Sequence, residues 1–265
     1  MWTDESPMLP SQSGKTRHIT LIDPDKQSPD VAANRALVAV ECGTSAIFVG
    51  GSTNTGDEIV HATCQAIQEA LELRIFAASQ HPDANEEMWN VPVILFPGGA
   101  HAMSSRADGI LFMMLMNSRS RRFLIDEQLT GAPMIDQFGI KPISTGYIVC
   151  APGGKVGEVG DADLIQPTDL KAVSAYCKTA EMYGFSTIYL EAGSGASDPV
   201  HIELIQAAKT SCNCTLIVGG GIRTSEQLMA AANAGADYIV TGTITEEHDS
   251  LESLRDQLGS LISVL

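Results

Sequence analysis

Eight short runs of apolar and β-branched residues, spread through 265 residues, constrain this chain more than any other feature. They span 18–22, 46–49, 91–96, 109–114, 143–149, 187–191, 215–218 and 237–241. Several are apolar at consecutive positions, which suits strands covered on both faces, as in a parallel sheet. Between them lie segments of helical length: 29–41, 57–76, 121–129, 168–183, 199–209, 225–234 and 251–264. Strands and helices alternating eightfold in a chain of this size fit a closed barrel better than an open sheet. No linker divides the chain. Residues 1–17 read as a polar N-terminal extension and 18–265 as one barrel domain.

The alternation breaks once. Between the third and fourth runs lies a stretch from Pro97 to Asp108 that holds Gly98, Gly99 and no amphipathic period. It is too short for a helix and two loops. The expected fold is therefore α/β, a modified (β/α)8 TIM barrel whose third helix is missing or replaced by a loop. Removing that helix uncovers an apolar groove on the barrel wall, and Phe96, Met103 and Phe112 are candidates to line it. An apolar groove of that kind calls for a ligand.

Composition narrows the partners. Lys and Arg number 16 against 32 Asp and Glu, for a net charge of −16. Such a surface repels phosphate backbones, so nucleic acid is excluded as a partner. Residues 1–17 lack the apolar core of a signal peptide. The longest apolar run, 110–116, is far too short to span a bilayer. The six cysteines are scattered in mostly apolar contexts, and no zinc-ligand pattern completes around Cys212 and Cys214. The compartment expected is the reducing cytoplasm.

In barrels of this kind, chemistry sits at the C-terminal ends of the strands. The sixth run ends on Glu191, followed by Ala192, Gly193, Ser194 and Gly195. A carboxylate at the mouth of a buried strand needs a task or a partner, and a structural turn is the competing reading. Asp198 beyond it reads as a helix N-cap. After the last two strands come Gly219, Gly220 and Gly221, then Gly242 and Thr243. Glycines let backbone N–H groups approach an anion, and a helix start near Thr224 or Ser225 adds its dipole. These loops read as a phosphate site. The first run ends at Asp23, a position that suits Mg²⁺, and Ser52 after the second run is a candidate to join it. The segment 152–160 reads as a long flexible loop, with Lys155 in reach of a phosphate. Arg119, Arg121 and Arg122 read as a solvated helix start.

Together these segments resemble one family, the geranylgeranylglyceryl phosphate synthases and their heptaprenyl relatives. The resemblance rests on residues 21–26, 50–52, 91–98, 107–108, 189–195, 219–223 and 241–243, in the family's order. It implies an enzyme that joins sn-glycerol 1-phosphate to a polyprenyl diphosphate, with geranylgeranyl as the first choice of tail. The product is the first ether of archaeal-type lipids. It further implies that Asp23 and Ser52 bind Mg²⁺ and that Tyr189, Leu190, Glu191, Ala192, Gly193, Ser194, Gly195, Gly220, Gly221, Gly242 and Thr243 hold glycerol 1-phosphate. Glu191 would take the proton of the attacking hydroxyl and Tyr189 would orient the glycerol. A homo-oligomer, dimer or hexamer, and transient contact with a membrane surface are also implied. Two departures stand out: some members carry lysine where this chain has Leu21, and many carry an aromatic residue where Glu158 stands and a Pro-Arg pair where Gln166 and Pro167 stand. Three readings stay open beside this one: a heptaprenyl homologue, a sugar-phosphate isomerase or aldolase, and a non-catalytic barrel that binds phosphate or lipid.

Overall fold

The computed structural model describes residues 8–10, 14–51, 56–248 and 250–265. The apolar runs form eight strands: β1 (Arg17–Ile22), β2 (Ala46–Val49), β3 (Val93–Leu95), β4 (Gly109–Leu115), β5 (Lys141–Val149), β6 (Thr187–Glu191), β7 (Thr215–Gly219) and β8 (Tyr238–Thr241). Each pairs in parallel with the next, and β8 pairs with β1, so the sheet closes as a barrel. Alternation along each strand builds two cores. Ile19, Phe48, Ile94, Leu111, Tyr147, Tyr189, Ile217 and Tyr238 fill the interior. Ile22, Ile47, Ile110, Ile188 and Ile239 face outward onto the helices.

The helices are α1 (Pro29–Glu41), α2 (Asp57–Ser79), α3 (Glu127–Phe138), α4 (Gly154–Val159), α5 (Leu170–Met182), α6 (Ile202–Ser211), α7 (Ser225–Asn233), α8 (Thr243–Glu246) and α9 (Leu251–Ile262); the short α4 and α8 line the cavity at the C-terminal mouth and the others surround the barrel. No helix lies between β3 and β4, where residues 96–108 form only turns and irregular chain. The missing third helix is therefore as expected.

Three local expectations give way. The segment read as 121–129 is a π-helical turn, Arg122–Asp126, that runs on into α3 as far as Phe138. Gly131 and Pro133 look like breakers, yet the buried face carrying Gly131 and Ile135 holds the helix against the barrel. Asp198 does not cap α6, which starts at Ile202 after His201. Its carboxylate instead accepts a hydrogen bond from the Ser197 hydroxyl at 2.7 Å. Residues 154–159 are a helix rather than an open loop, and Gly153 N–H ties its start to Ala192 O at 2.9 Å.

Residues 8–10 close the N-terminal mouth of the barrel. Leu9 is 3% exposed, and its carbonyl accepts from Thr215 Oγ1 at 3.2 Å. Pro10 O accepts from the Tyr238 hydroxyl and from Arg17, whose guanidinium also lies over the Tyr238 ring. Among the described residues, no helix is long and apolar enough to cross a membrane.

Candidate active site

At the opposite mouth one continuous cavity is bounded by the strand ends. Asp23, Tyr189, Glu191, Ser194, Gly195, Gly220, Gly221, Gly242 and Thr243 all line it. Leu190 and Ala192 lie beside these residues in sequence but turn into the outer core. Gly193 serves through its backbone. Ser52 falls outside the described residues.

Glu191 sits at the end of β6, 5% exposed. Its Oε1 accepts from Gly193 N–H at 2.6 Å and its Oε2 from the Tyr147 hydroxyl at 3.2 Å. Burial pushes its carboxyl above the usual range. The Gly193 amide and the Tyr147 and Tyr189 hydroxyls pull it part of the way back. Burial, and then the charge of Glu191, keep both tyrosines well above the ordinary phenol value, so they remain O–H donors. Gly219, the last residue of β7, and Gly220 just after it make room for this group. A Cβ at Gly219 would stand 2.1 Å from the Tyr189 hydroxyl, and one at Gly220 would stand 2.3 Å from Glu191 Oε1. Gly220 also has φ +85°, which favours glycine independently. The glycines after β7 therefore do two things: they turn the loop and they admit the carboxylate.

Under Glu191 lies an aromatic floor. The Tyr147 and Tyr189 ring centroids are 5.1 Å apart, and Phe96 stacks on Tyr189 at 5.4 Å. All three rings line the cavity. On the phosphate side, α7 opens with a full capping box between Thr224 and Gln227. Arg223 lines the cavity and donates to Ala196 O at 2.7 Å, which ties the β7 loop to the β6 loop. Leu21 packs its side chain over Gly242 at 3.3–3.5 Å of where a Cβ would be.

Asp23 stands across the mouth on the turn after β1. Its Oδ1 accepts from Asp25 N–H at 3.0 Å, and its carboxylate rests against Gly51. Burial raises its pKa, while the Asp25 amide and the charges of Lys26 and Lys155 act against that rise. Glu246 lines the same cavity and is also raised, first by burial and then by the charge of Asp23. The two carboxylates supply hard oxygen donors of the kind Mg²⁺ takes together with phosphate oxygens. Among the described residues, no group of three or more His, Cys, Asp or Glu is placed to hold a metal alone. The donor set fits an ion shared with a substrate phosphate.

The sequence did not single out Tyr147, Glu246 or the cavity role of Arg223. Tyr147 lay inside an apolar run, and only the pairing of β5 with β6 brings it beside Glu191. Glu246 sits on the short helix α8, for which no periodic signal exists. The three arginines after β4 make exposed ion pairs: Arg119 with Asp161, Arg121 with Asp126 and Arg122 with Glu127.

The apolar side of the cavity leaves the mouth past Phe96 and Phe112 towards Met103 and Ile135, into the space left by the missing helix. One opening thus joins a polar, glycine-walled half to an apolar trough, with a buried carboxylate at the junction.

Comparison with known proteins places this arrangement. The sequence pattern of the PcrB family matches residues 11–259. The geranylgeranylglyceryl phosphate synthase of Methanococcoides burtonii is 44% identical over 248 residues, covering 93% of either chain. That of Thermococcus kodakarensis is 42% identical and covers 92% of this chain and 90% of its own. Among solved structures, the (S)-3-O-geranylgeranylglyceryl phosphate synthase of Thermoplasma acidophilum, in complex with substrate sn-glycerol-1-phosphate, superposes with a TM-score of 0.85 at 34% identity. It covers 97% of this chain and 96% of its own. With a family pattern running across nearly the whole sequence and relatives this similar over most of both chains, the chain belongs to the PcrB family.

Proposed function

We propose that this chain transfers a polyprenyl group, geranylgeranyl in the first instance, from its diphosphate to the 3-hydroxyl of sn-glycerol 1-phosphate. The products are an ether and diphosphate. The observation that carries this reading is the position of Glu191, a buried carboxylate between glycine-rich loops and an apolar trough. Two substrates of opposite character, an anionic polyol and a long hydrocarbon, need such a junction.

The glycerol phosphate is anchored by backbone N–H groups of Gly220, Gly221, Gly242 and Thr243, with Arg223 and the start of α7 adding positive potential. That anchor holds the far hydroxyl towards Glu191. The carboxylate accepts the hydroxyl proton as oxygen attacks carbon 1 of the allylic chain, whose bond to diphosphate breaks. Its raised pKa makes it a better base than an exposed carboxylate. Phe96, Tyr147 and Tyr189 line the cavity together, and aromatic rings there would stabilise a centre that turns partly cationic as that bond stretches. Asp23, with Glu246 beside it, would hold Mg²⁺, and Ser52 is the further ligand the resemblance implies. When bound, the ion neutralises charge on the departing diphosphate. The trough supplies binding energy for the tail at about 0.8 kcal/mol per buried methylene.

A cytoplasmic location goes with this reading, supported by six cysteines that are all unpaired. A dimer or hexamer is supported by exposed Leu73 and Phe76 on α2. Transient contact with a membrane surface is the natural way to meet a prenyl diphosphate. The test is direct: incubate the protein with labelled glycerol 1-phosphate, Mg²⁺ and geranylgeranyl diphosphate, then extract with organic solvent. The reading expects label in the organic phase, dependent on both substrates. Label confined to the aqueous phase for every prenyl diphosphate leaves a non-catalytic binding protein as the better account.

A further inference from the structure

Three of the six cysteines meet at the closed end of the barrel, where α5, α6 and the start of β7 come together. Cys177 lies on the buried face of α5, one turn before Glu181. Glu181 Oε1 accepts from the backbone N–H and the side-chain amide of Asn213, at 2.9 and 3.0 Å. Residues four apart are neighbours on a helix surface, so this anchor sets the turn 212–214 against the stretch of α5 that carries Cys177. Cys212 and Cys214 flank Asn213 in that turn. Cys214 Sγ lies 3.2 Å from Phe185 O and Cys212 Sγ 3.9 Å from Ala208 O, so backbone carbonyls locate both sulfurs. All three side chains pack into one apolar cluster. None of them lines the catalytic cavity.

The three sulfurs differ in their surroundings. Cys177 is fully buried, Cys214 nearly so, and Cys212 is half-buried. Cys212 accepts a hydrogen bond from the Cys177 thiol, and further ones from the N–H and thiol of Cys214. The Cys177 bond foremost holds the Cys212 thiol below its ordinary pKa, against the opposing effects of burial and the charge of Glu181. The same bond, and then burial, push Cys177 up. Cys42 is the internal contrast. It is half-buried too, but its sulfur faces Arg255 O, and burial raises its pKa.

We propose that Cys212 is a site of reversible oxidation by peroxides, with Cys177 as its resolving thiol. The Cys212 thiolate attacks one peroxide oxygen and the O–O bond breaks. Cys212 becomes a sulfenic acid, and the departing hydroxide takes a proton from solvent to leave as water. The Cys177 sulfur then attacks the Cys212 sulfur. An S–S bond forms, and the hydroxyl leaves as water with the Cys177 proton. Two thiols lose two electrons in all, and one hydrogen peroxide becomes two waters. A resolving thiol already in contact traps the sulfenic acid before a second peroxide arrives, which keeps the change reversible by small thiols.

The test uses the full chain at neutral pH. A brief pulse of iodoacetamide is followed by mass spectrometry of each cysteine peptide. Cys212 should be alkylated about tenfold faster than Cys42, the gain in thiolate for a pKa lower by about one unit. Hydrogen peroxide should join Cys177 to Cys212, seen as a linked peptide in a non-reducing digest and lost with dithiothreitol. Cys177→Ala should leave Cys212 as a sulfenic acid that dimedone captures, whereas Cys214→Ser should still form the Cys177–Cys212 bond. Equal alkylation of Cys212 and Cys42 overturns the proposal. So does peroxide-treated wild type that forms no disulfide, or that joins Cys212 to Cys214 instead. Both of these readouts come from wild type, so a variant that fails to fold leaves them intact.

Discussion

The two ends of this barrel are made from the same eight strands and are opposite in character. At the N-terminal end Leu9 plugs the interior, and Thr215, Arg17 and Tyr238 satisfy the carbonyls of the plug. His18, near that end on β1, is buried and hydrogen-bonded to Thr44 and Thr241. At the C-terminal end the polar groups converge on open space. Glu191 keeps a carboxylate under a cavity, and Asp23 and Glu246 set two more at its rim. The difference separates what holds the barrel from what it does. Substitutions at the closed end should change stability and spare turnover, and those at the open end the reverse.

The strongest challenge to that division is Asp23→Asn. It should lower turnover on the order of 10²–10³-fold, the loss of several kcal/mol of charge stabilisation, and raise the Mg²⁺ concentration needed for half-maximal rate. Unchanged metal dependence would remove Asp23 from ion binding.

At the closed end the largest effect is one of pH. Burial lowers the His18 pKa from 6.5 to about 3. Below pH 6.5 the unfolded chain takes up a proton that the folded chain refuses. The stabilisation is therefore complete above pH 6.5 and falls away as pH drops towards 3, by on the order of 4–5 kcal/mol. Denaturant titrations between pH 8 and 4 should show this slope, and His18→Gln should flatten it. A slope that persists in the variant points to another group.

Leu9→Ala should destabilise by about 2–4 kcal/mol through the cavity it opens, with kcat unchanged. A fall in kcat of similar size to the fall in stability would show the two ends to be coupled. Tyr147→Phe is expected to act most gently. Losing one donor to Glu191 raises the carboxyl pKa further, so the acid limb of the pH–rate profile moves to higher pH while the alkaline side keeps its rate. An unmoved acid limb would separate Tyr147 from the base.

The strands were readable because each is buried on both faces, which leaves runs such as 187–190 apolar or β-branched at every position. The absent third helix was readable for the converse reason, since Pro97, Gly98 and Gly99 offer no face to bury. α3 beyond residue 129 was hidden behind Gly131 and Pro133, whose local preferences are outweighed by packing on the barrel. Asp198 failed as a cap because Pro199 and Val200 carry the chain onward before α6 begins. In the site, residues that follow strand ends were legible from order alone. Tyr147, Arg223 and Glu246 were not, because their roles arise from barrel closure bringing distant loops together.

The central claim is that Glu191, at the junction of the polar and apolar halves, is the base for the glycerol hydroxyl. Glu191→Gln with turnover and glycerol 1-phosphate binding measured on one preparation tests it most directly. The account predicts a fall in kcat of about 10²–10⁴-fold, with the dissociation constant for glycerol 1-phosphate, measured by calorimetry, within a few-fold of wild type. Turnover near the wild-type value, or a loss of turnover matched by an equal loss of binding, would contradict it.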